Sequence, residues 1–415
     1  MSAPRILVIM GSGETAPTMV PTHRMLTARL GSTVKAALLD TPYGFQENAP
    51  ELAAKAVEYF KTSVNVTLEV AGLTQVVDGD ALTVERGLNK VKDANYVFAG
   101  PGSPTYALRQ WVGTSLPELL VSKLRSGGVV TFASAAALTL GRRTLPIYEI
   151  YKAGEPPRWL DGLDVLSAIG VDAAVIPHYN NAEGGHHDTR FCYMGERRLA
   201  MLERELPDST YVLGVDEHTG VVIDLDTETA SVVGKGVVTL RLRDGSTEIP
   251  SGETFPLDRL RDPRATATTS PRPQVAPAPV VEEAVDSNLR QATERLSGEF
   301  DAALEAGDAD AAARSVLELE DVITSWSADT LQGTDGEFAR ATLRSMITRL
   351  AGAASSGLTD PRDVVGPYMD VLLTLRSQVR ADKRFDLSDV IRDRLAAIGV
   401  EVRDTPSGAE WVLRD

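Results

Sequence analysis

Val129-Val-Thr-Phe-Ala-Ser134-Ala-Ala-Ala-Leu138 is the clearest indication of the fold of the first part of the chain. It begins with apolar, β-branched residues, which predict a buried strand, and it continues with alanines that predict a helix. A serine at a strand-to-helix turn has the geometry of a nucleophile elbow, in which the turn lifts the hydroxyl out of the sheet. A serine at a helix start is also an ordinary N-cap residue. The stretch therefore predicts an α/β fold and offers Ser134 as a candidate nucleophile.

Strand-like and helical runs alternate on both sides of this elbow, and this order predicts βαβ units around a mainly parallel, doubly wound sheet. From about residue 210, closely spaced strands with turn residues between them predict antiparallel hairpins that complete the domain. The strands predicted for the parallel part are Ile6–Met10, Lys35–Leu39, Val64–Val70, Tyr96–Ala99, Val129–Ala133 and Ala173–Ile176.

Residues 262–282 are rich in Pro, Ala and Thr and have no apolar period, which is typical of a semi-extended, flexible linker. We therefore expect an α/β domain over 1–261, a linker over 262–282 and a second domain over 283–415. Apolar spacings of three and four residues predict that the second domain is an all-α helical bundle with a short tail at Val400–Trp411. Its predicted helices are Ser287–Ala306, Ala309–Trp326, Gly336–Ala354, Val364–Ala381 and Leu387–Ile398.

Composition narrows the classes of function. The net charge of −16 argues against a broad electrostatic contact with nucleic acid. No apolar run approaches the ~20 residues of a membrane span, so we expect no membrane partner. The first apolar run, Ile6–Met10, leads into Gly11-Ser-Gly13 and predicts a strand rather than a signal peptide. The single cysteine, Cys192, excludes an internal disulfide and a multi-cysteine zinc site, and it favours the cytoplasm.

Two further segments carry candidate chemistry. Gly100-Pro-Gly102 follows a predicted strand and precedes a predicted helix, a position from which backbone N–H groups can meet an anion. Residues 177–195 form a dense polar segment after another strand, and four of the five histidines lie between 178 and 218. A loop this rich in polar side chains favours a functional site, although its Asn and Gly residues also suit a solvated turn.

Taken together, residues 95–223 resemble the serine peptidase family of cyanophycinase and dipeptidase E, whose fold is similar to that of class I glutamine amidotransferases. The resemblance implies a peptidase that cleaves a short peptide or an isoaspartyl-type amide, without a cofactor. The matching pieces, in order along the chain, are Val97–Gly102, Gly127–Gly141, His178, Arg190 with Arg197-Arg198-Leu199, and Gly214–Ile223.

The resemblance also implies roles for individual residues. Ser134 would be the nucleophile and His178 the general base. Gly102 and Ala135 would supply oxyanion N–H groups. The acidic member is left open among three glutamates, and three polar side chains are candidates for holding a carboxylate or polar end of the substrate. The glutamates are Glu149, Glu183 and Glu217, and the substrate-binding candidates are Asn180, Asn181 and Arg190.

Departures from the family pattern support a second hypothesis, in which the chain is a catalytically altered or inactive ligand-binding protein. The family elbow reads Gly-x-Ser-Ala-Gly, whereas this chain has Phe132 and Ala136 in place of the two glycines. Glycine relieves crowding around a strained nucleophile. Pro101 also removes one N–H donor from the glycine turn.

A third hypothesis is a metal-dependent hydrolase centred on residues 178–188, although the spacing of the potential ligands fits no standard zinc pattern. Those ligands are His178, Glu183, His186, His187 and Asp188. Gly11-Ser-Gly13-Glu-Thr15 lacks the spacing of a phosphate loop and is interpreted as a βα turn that borders the cleft. Cys192 is expected to be a buried or half-buried thiol.

The C-terminal part carries a second resemblance. Residues 375–411 contain a basic helix, then Ser388-Asp-Val-Ile-Arg-Asp393, then Gly399 and Asp404-Thr-Pro-Ser-Gly-Ala-Glu-Trp411. This order resembles the C-terminal end of cysteinyl-tRNA synthetases and implies contact with tRNA or a tRNA-related partner. The alternative is a module for folding, protein binding or homo-oligomerisation, with its arginines paired to nearby aspartates. The expected phosphate contacts are Arg376, Arg380, Lys383, Arg384 and Arg392.

Overall fold

The computed structural model describes residues 3–182, 187–264, 286, 288–327, 334–356, 361–405 and 408–413. The chain divides into two compact units, residues 1–289 with 322–336 and residues 290–321 with 337–415, which we call the first and second units. The predicted linker lies mostly outside the described residues, so the boundaries 1–261, 262–282 and 283–415 stay predictions. No helix within the described ranges has the length and hydropathy that a membrane span requires.

Strands and helices are numbered separately along the chain. The strands are β1 (Arg5–Met10), β2 (Ala36–Leu39), β3 (Leu68–Val70), β4 (Tyr96–Ala99), β5 (Gly128–Ala133), β6 (Arg143–Thr144), β7 (Leu160–Asp161), β8 (Ala173–Ile176), β9 (Tyr211–Val215), β10 (Thr219–Asp224), β11 (Thr229–Gly234), β12 (Val237–Leu242), β13 (Gly245–Pro250), β14 (Thr254–Pro256), β15 (Val400–Thr405) and β16 (Gly408–Leu413). The α-helices are α1 (Val20–Arg29), α2 (Ala49–Tyr59), α3 (Ala81–Asp93), α4 (Pro104–Trp111), α5 (Leu116–Ser126), α6 (Ser134–Leu138), α7 (Ile147–Tyr151), α8 (Gly195–Glu205), α9 (Asp258–Arg261), α10 (Leu289–Glu305), α11 (Ala309–Ser325), α12 (Asp335–Ser356), α13 (Pro361–Ala381) and α14 (Phe385–Ala397).

The main sheet of the first unit has eight strands in the order β14-β11-β10-β1-β5-β4-β2-β3. The five strands from β1 to β3 in this order run parallel, and β10, β11 and β14 add an antiparallel edge. Both faces are covered, because Leu7 and Ile9 of β1 enter one apolar core while Ile6, Val8 and Met10 enter the other. The predicted α/β class with a mainly parallel sheet is confirmed.

The strand at Ala173–Ile176 does not join this main sheet. It forms β8 in a second, four-stranded sheet with the order β13-β12-β9-β8, where it runs parallel to β9. Helix α8 lies between β8 and β9 in the sequence and supplies the crossover that a parallel pair needs. After β9 the chain turns through residues 216–218 and enters the main sheet as β10. This turn between the two sheets is important for the site.

The described helices of the second unit confirm the predicted helical region. The tail, however, is not irregular, because β15 and β16 form an antiparallel hairpin. Val400 and Val402 of this hairpin are buried with Met369 of α13 and Leu395 of α14. The second unit is therefore a helical domain completed by a two-stranded ribbon, which the all-α prediction did not include.

Candidate active site

Ser134 occupies the predicted strand-to-helix turn. Strand β5 ends at Ala133, Ser134 is the first residue of α6, and its backbone has a φ of +50°. A non-glycine residue in this left-handed region is strained, as is typical of a nucleophile elbow. The side chain is only half-buried, so its hydroxyl is accessible at the carboxyl end of the parallel strands.

Phe132 does not crowd this turn. It lies within β5, paired with Ile9 on one side and Ala99 on the other, and its side chain is fully buried. Its ring packs 5.8 Å from that of Trp111 in the core. The larger side chain is therefore accommodated in the apolar core of the first unit.

A chain of hydrogen bonds links three side chains from distant parts of the sequence. Ser134 Oγ lies 2.9 Å from His178 Nε2, and His178 Nδ1 lies 3.0 Å from Glu217 Oε1. Because the ionised carboxylate only accepts, Nδ1 carries the proton and Nε2 is left to accept from the serine hydroxyl. This is the order of donors and acceptors found in serine–histidine–acid triads.

Glu217 is held by both asparagines that follow His178. Asn181 Nδ2 donates to Glu217 Oε1 at 3.0 Å, and the backbone N–H of Glu217 donates to Asn180 Oδ1 at 2.8 Å. Burial raises the pKa of Glu217, but the hydrogen bonds and charge of His178 and the bond from Asn181 outweigh it, so that the net pKa is lowered. The carboxylate is thus kept ionised in a half-buried position.

His178 itself is fixed by its backbone. It lies two residues beyond β8 with a φ of +48°, and its carbonyl accepts the N–H of Asn181 at 3.2 Å and that of Cys192 at 3.1 Å. Cys192 belongs to a left-handed turn, Phe191–Tyr193, with φ values of +59°, +54° and +65°. This turn places the Tyr193 ring 6.5 Å from that of His178, while its other neighbour, Tyr151, stacks on it at 4.8 Å.

The glycine loop after β4 approaches the elbow directly, since Ala136 donates its backbone N–H to Gly100 O at 3.2 Å. Gly102 has a φ of +136°, and a Cβ atom there would lie 2.1 Å from the carbonyl oxygen of Pro42, so only glycine fits. Ala135 is the second residue of α6, where backbone N–H groups have no partner inside the helix. Both predicted oxyanion donors therefore belong to backbone segments joined at the elbow.

The loop after β1 supports the turn that carries Glu217. A Cβ atom on Gly11 would lie 2.0 Å from Asp216 O, and one on Gly13 would lie 2.2 Å from His218 Nδ1. The glycines of Gly11-Ser-Gly13 are therefore needed for close packing against residues 216–218. The interpretation of this segment as a turn beside the cleft agrees with that position.

The other predicted residues have different surroundings. Glu149 lies in α7, and its Oε2 is buried without a hydrogen-bond partner in the described part of the chain. Glu183 lies outside the described residues. Arg190 is exposed and makes two 2.9 Å hydrogen bonds to Asp188. Of the three candidate acids, Glu217 is the one that the structure bonds to His178.

Two of the five side chains proposed as metal ligands, His178 and Asp188, are engaged in other contacts. His178 contacts Ser134 and Glu217, and Asp188 accepts from Arg190, which with a backbone N–H lowers the pKa of that carboxyl. Glu183 and His186 lie outside the described residues; elsewhere in the structure no group of three or more His, Cys, Asp or Glu side chains is arranged to hold a metal. Cys192 is buried, and burial raises the pKa of its thiol.

Four of the five predicted phosphate contacts of the second unit are paired with aspartates. The guanidinium of Arg376 is almost fully buried and binds Asp404 at 2.6 and 3.0 Å. Arg380 shares the same carboxylate at 3.0 Å. Arg384 lies 3.3 Å from Asp386, and Arg392 lies 3.2 Å from Asp389. Arg376 therefore fixes α13 to the hairpin, which is not the exposed position that a phosphate contact requires.

Sequence reasoning did not find what Asn180, Asn181 and the left-handed turn do. The asparagines were expected to hold substrate, but the structure directs one amide and one carbonyl oxygen to Glu217. Their spacing of two and three residues from His178 was the available signal, because a loop that turns back on itself brings such neighbours to one point. Three successive left-handed residues without glycine gave no signal at all.

No family model matches this chain, whereas searches of solved structures and of curated proteins give similar proteins. Among solved structures, a peptidase from an acI-B1 actinobacterium has a TM-score of 0.49 and 21% identity, over 61% of this chain and 97% of that one. A putative peptidase E protein from Listeria monocytogenes has a TM-score of 0.36 and 16% identity, over 56% of this chain and 98% of that one.

Among curated proteins, the similar ones are cysteine–tRNA ligases. That of Nitratidesulfovibrio vulgaris strain DP4 is 63% identical over 43 residues, which is 10% of this chain and 9% of the ligase. That of Porphyromonas gingivalis is 37% identical over 89 residues, which is 20% of this chain and 18% of the ligase. The chain thus spans less than a fifth of these relatives, and the resemblance to cysteinyl-tRNA synthetases is confirmed for a short stretch only.

Proposed function

We propose that the first unit is a serine hydrolase that cleaves a small amide or peptide bond. The observation that carries the proposal is the continuous Ser134–His178–Glu217 chain, with heavy-atom distances of 2.9 and 3.0 Å. These distances are within the reach required for proton transfer. The position of Phe132 in the core also supports an active elbow over the ligand-binding alternative.

The proposed reaction has two halves, acylation of Ser134 and hydrolysis of the acyl-serine. His178 Nε2 takes the proton of Ser134 as Oγ attacks the carbonyl carbon, and Glu217 stabilises the imidazolium. The N–H groups of Ala135 and Gly102 receive the oxyanion. His178 then returns the proton to the leaving amine, so that an acyl-serine remains. Water, deprotonated by the same imidazole, hydrolyses this ester and restores Ser134.

The experiment is labelling of the full chain with a fluorophosphonate, followed by peptide mapping. We expect the adduct on Ser134 and its loss in Ser134→Ala and His178→Ala. Ser209→Ala is the matched control, because the Ser209 hydroxyl bonds a carboxylate, Asp172, at 2.7 Å instead of a histidine. Absence of an adduct at Ser134 from pH 5 to 10 would refute the hydrolase and favour the ligand-binding alternative. A panel of dipeptides, with isoaspartyl dipeptides included, then defines the substrate.

A second function is proposed for the second unit on the basis of its similarity to cysteine–tRNA ligases, namely binding of tRNA or a tRNA-related partner. Filter-binding of total tRNA at low and moderate salt tests it, with retention expected to fall as salt rises. Lys383→Ala with Arg384→Ala should weaken retention, whereas Arg142→Ala in the first unit should not. Retention that is absent at low salt would favour a module for protein binding or self-association.

We also propose a cytoplasmic setting for this hydrolase. Cys192 is a free, buried thiol, and a chain with one cysteine cannot form the internal disulfide that stabilises many proteins of oxidising compartments. Fractionation of cells that produce the natural protein tests this proposal, and recovery with the membranes or outside the cell would contradict it.

A further inference from the structure

We infer that Asn181 is a positioning residue, which fixes the Glu217 carboxylate so that His178 is held ready to accept the proton of Ser134. The inference rests on the proposed hydrolase function and assigns Asn181 to the catalytic support rather than to substrate.

Asn181 and His178 both donate to one oxygen of Glu217. Asn181 is fully buried, and its Nδ2 donates to Glu217 Oε1, the same oxygen that accepts from His178 Nδ1. Two donors to one carboxylate oxygen fix its position better than one, because rotation of the carboxylate would weaken both bonds. The imidazole then has one preferred orientation.

The two donors to Glu217, His178 and Asn181, come from one loop, the loop after β8. The backbone N–H of Asn181 donates to His178 O at 3.2 Å, so that the two residues form a single turn. Asn180, which lies between these two residues in the sequence, accepts the backbone N–H of Glu217 through its side-chain oxygen at 2.8 Å. The turn therefore binds Glu217 at its side chain and at its backbone, and a displacement of Glu217 would have to move His178 with it.

Asn181 also favours the ionised form of Glu217. An ionised Glu217 keeps the proton on His178 Nδ1 and leaves Nε2 free to accept. The amide of Asn181 stabilises that ionised form by donating to it, whereas an acidic residue in its place would oppose it. The titratable groups around Glu217 are His178 and Cys192 from the loop after β8 and Asp216 and His218 from its own turn.

A second asparagine provides a matched control variant. Asn181→Asp replaces a donor to Glu217 by a carboxylate oxygen that faces it. Asn89→Asp makes the same substitution, with the same added negative charge, at an exposed residue of α3. The charge added at Asn89 is screened by solvent.

The measurement is the rate of fluorophosphonate labelling of Ser134 in the full chain as a function of pH. An added charge beside Glu217 favours the protonated imidazole, so we expect the midpoint of labelling in Asn181→Asp to rise by about one pH unit or more. The midpoint in Asn89→Asp should stay within a few tenths of a pH unit of wild type. Equal midpoints for the two variants would overturn the inference.

Two controls separate the possible failures. If wild type is not labelled at Ser134, the proposed hydrolase fails rather than the role of Asn181. If Asn181→Asp does not unfold cooperatively, Asn181→Ala decides, since it removes the donor without adding charge. We expect its labelling rate at the high-pH plateau to fall about tenfold, in the range known for a lost orienting group. An unchanged plateau would contradict the inference.

Discussion

Asp216 provides the sharpest test of how the turn between the two sheets is built. Asp216 directly precedes Glu217 in the sequence and is only 7% exposed. Its Oδ2 accepts the backbone N–H of Val237 at 2.9 Å. Burial, with the charges of Glu248 and Glu217, raises the pKa of Asp216 from 3.8 to about 6, although the Val237 bond opposes this rise. Ionised Asp216 is therefore a source of instability at neutral pH.

The perturbation is Asp216→Asn, which keeps an oxygen acceptor for Val237 and removes the charge. A carboxyl whose pKa is raised on folding contributes stability that is fully present below pH 3.8 and is lost as pH rises through about 6. A rise of this size corresponds to about 3 kcal/mol. Part of this stability is already lost at pH 4, so we expect the free energy of unfolding of Asp216→Asn, relative to wild type, to increase by about 2 kcal/mol between pH 4 and pH 7.

The assay is urea denaturation at several pH values, read by hydrogen exchange of peptides from β9 and β10, so that the signal comes from the first unit. The difference between the two pH values matters, because it cancels any fixed cost of fitting the amide. Asp244→Asn, in the exposed turn between β12 and β13, is the control and should parallel wild type. If the free energies of unfolding of wild type and Asp216→Asn stay parallel from pH 4 to 7, the ionised Asp216 does not destabilise the fold and the prediction is wrong.

Four other predictions concern the elbow, the thiol and the second unit. Ser134→Gly should unfold at a higher temperature than Ser134→Ala, by about 1 kcal/mol in stability, because glycine adopts a positive φ without strain; the reverse order would contradict the strained turn. Phe132→Gly should lower the free energy of unfolding of the first unit by at least about 3 kcal/mol without faster labelling of Ser134, since the ring fills the core; faster labelling would show that the ring crowds the nucleophile. Cys192 should resist iodoacetamide at pH 8 until the protein is denatured, because burial raises the pKa of its thiol. Arg376→Met should cost roughly 1–3 kcal/mol in protection of the β15–β16 hairpin, and Arg380→Met less than about 1 kcal/mol, because the first guanidinium is buried and the second is exposed.

Sequence alone was sufficient for features that local chemistry determines. The strand-to-helix turn at Ser134 follows from an apolar run that ends in small residues, and β10 and β11 follow from alternating apolar residues with turn residues between them. The β15–β16 hairpin was missed, although Pro406-Ser-Gly408 lies between the alternating patterns of Val400–Val402 and Trp411–Leu413. The signal was present, but Val400–Trp411 was interpreted only as a short tail after the last helix.

Features that depend on long-range pairing could not be obtained in this way. Three glutamates were equivalent candidates for the acid, because nothing local shows that Glu217, 83 residues beyond Ser134, meets the histidine between them. The membership of β8 in the second sheet was equally hidden, since its four apolar residues suit either sheet. In both cases the outcome depends on where β9 leaves one sheet and β10 enters the other.

Backbone strain gives independent physical support for the site. A left-handed φ costs a non-glycine residue about 1–2 kcal/mol, and such strain persists only where the surrounding structure imposes it. Eleven non-glycine residues with positive φ occur in the described chain, and six of them lie in the elbow, the loop after β8 and the Glu217 turn. A fold without a site would have no physical reason to concentrate strain at the segments that carry one chain of hydrogen bonds from Ser134 through His178 to Glu217. The six residues are Ser134, His178, Phe191, Cys192, Tyr193 and His218.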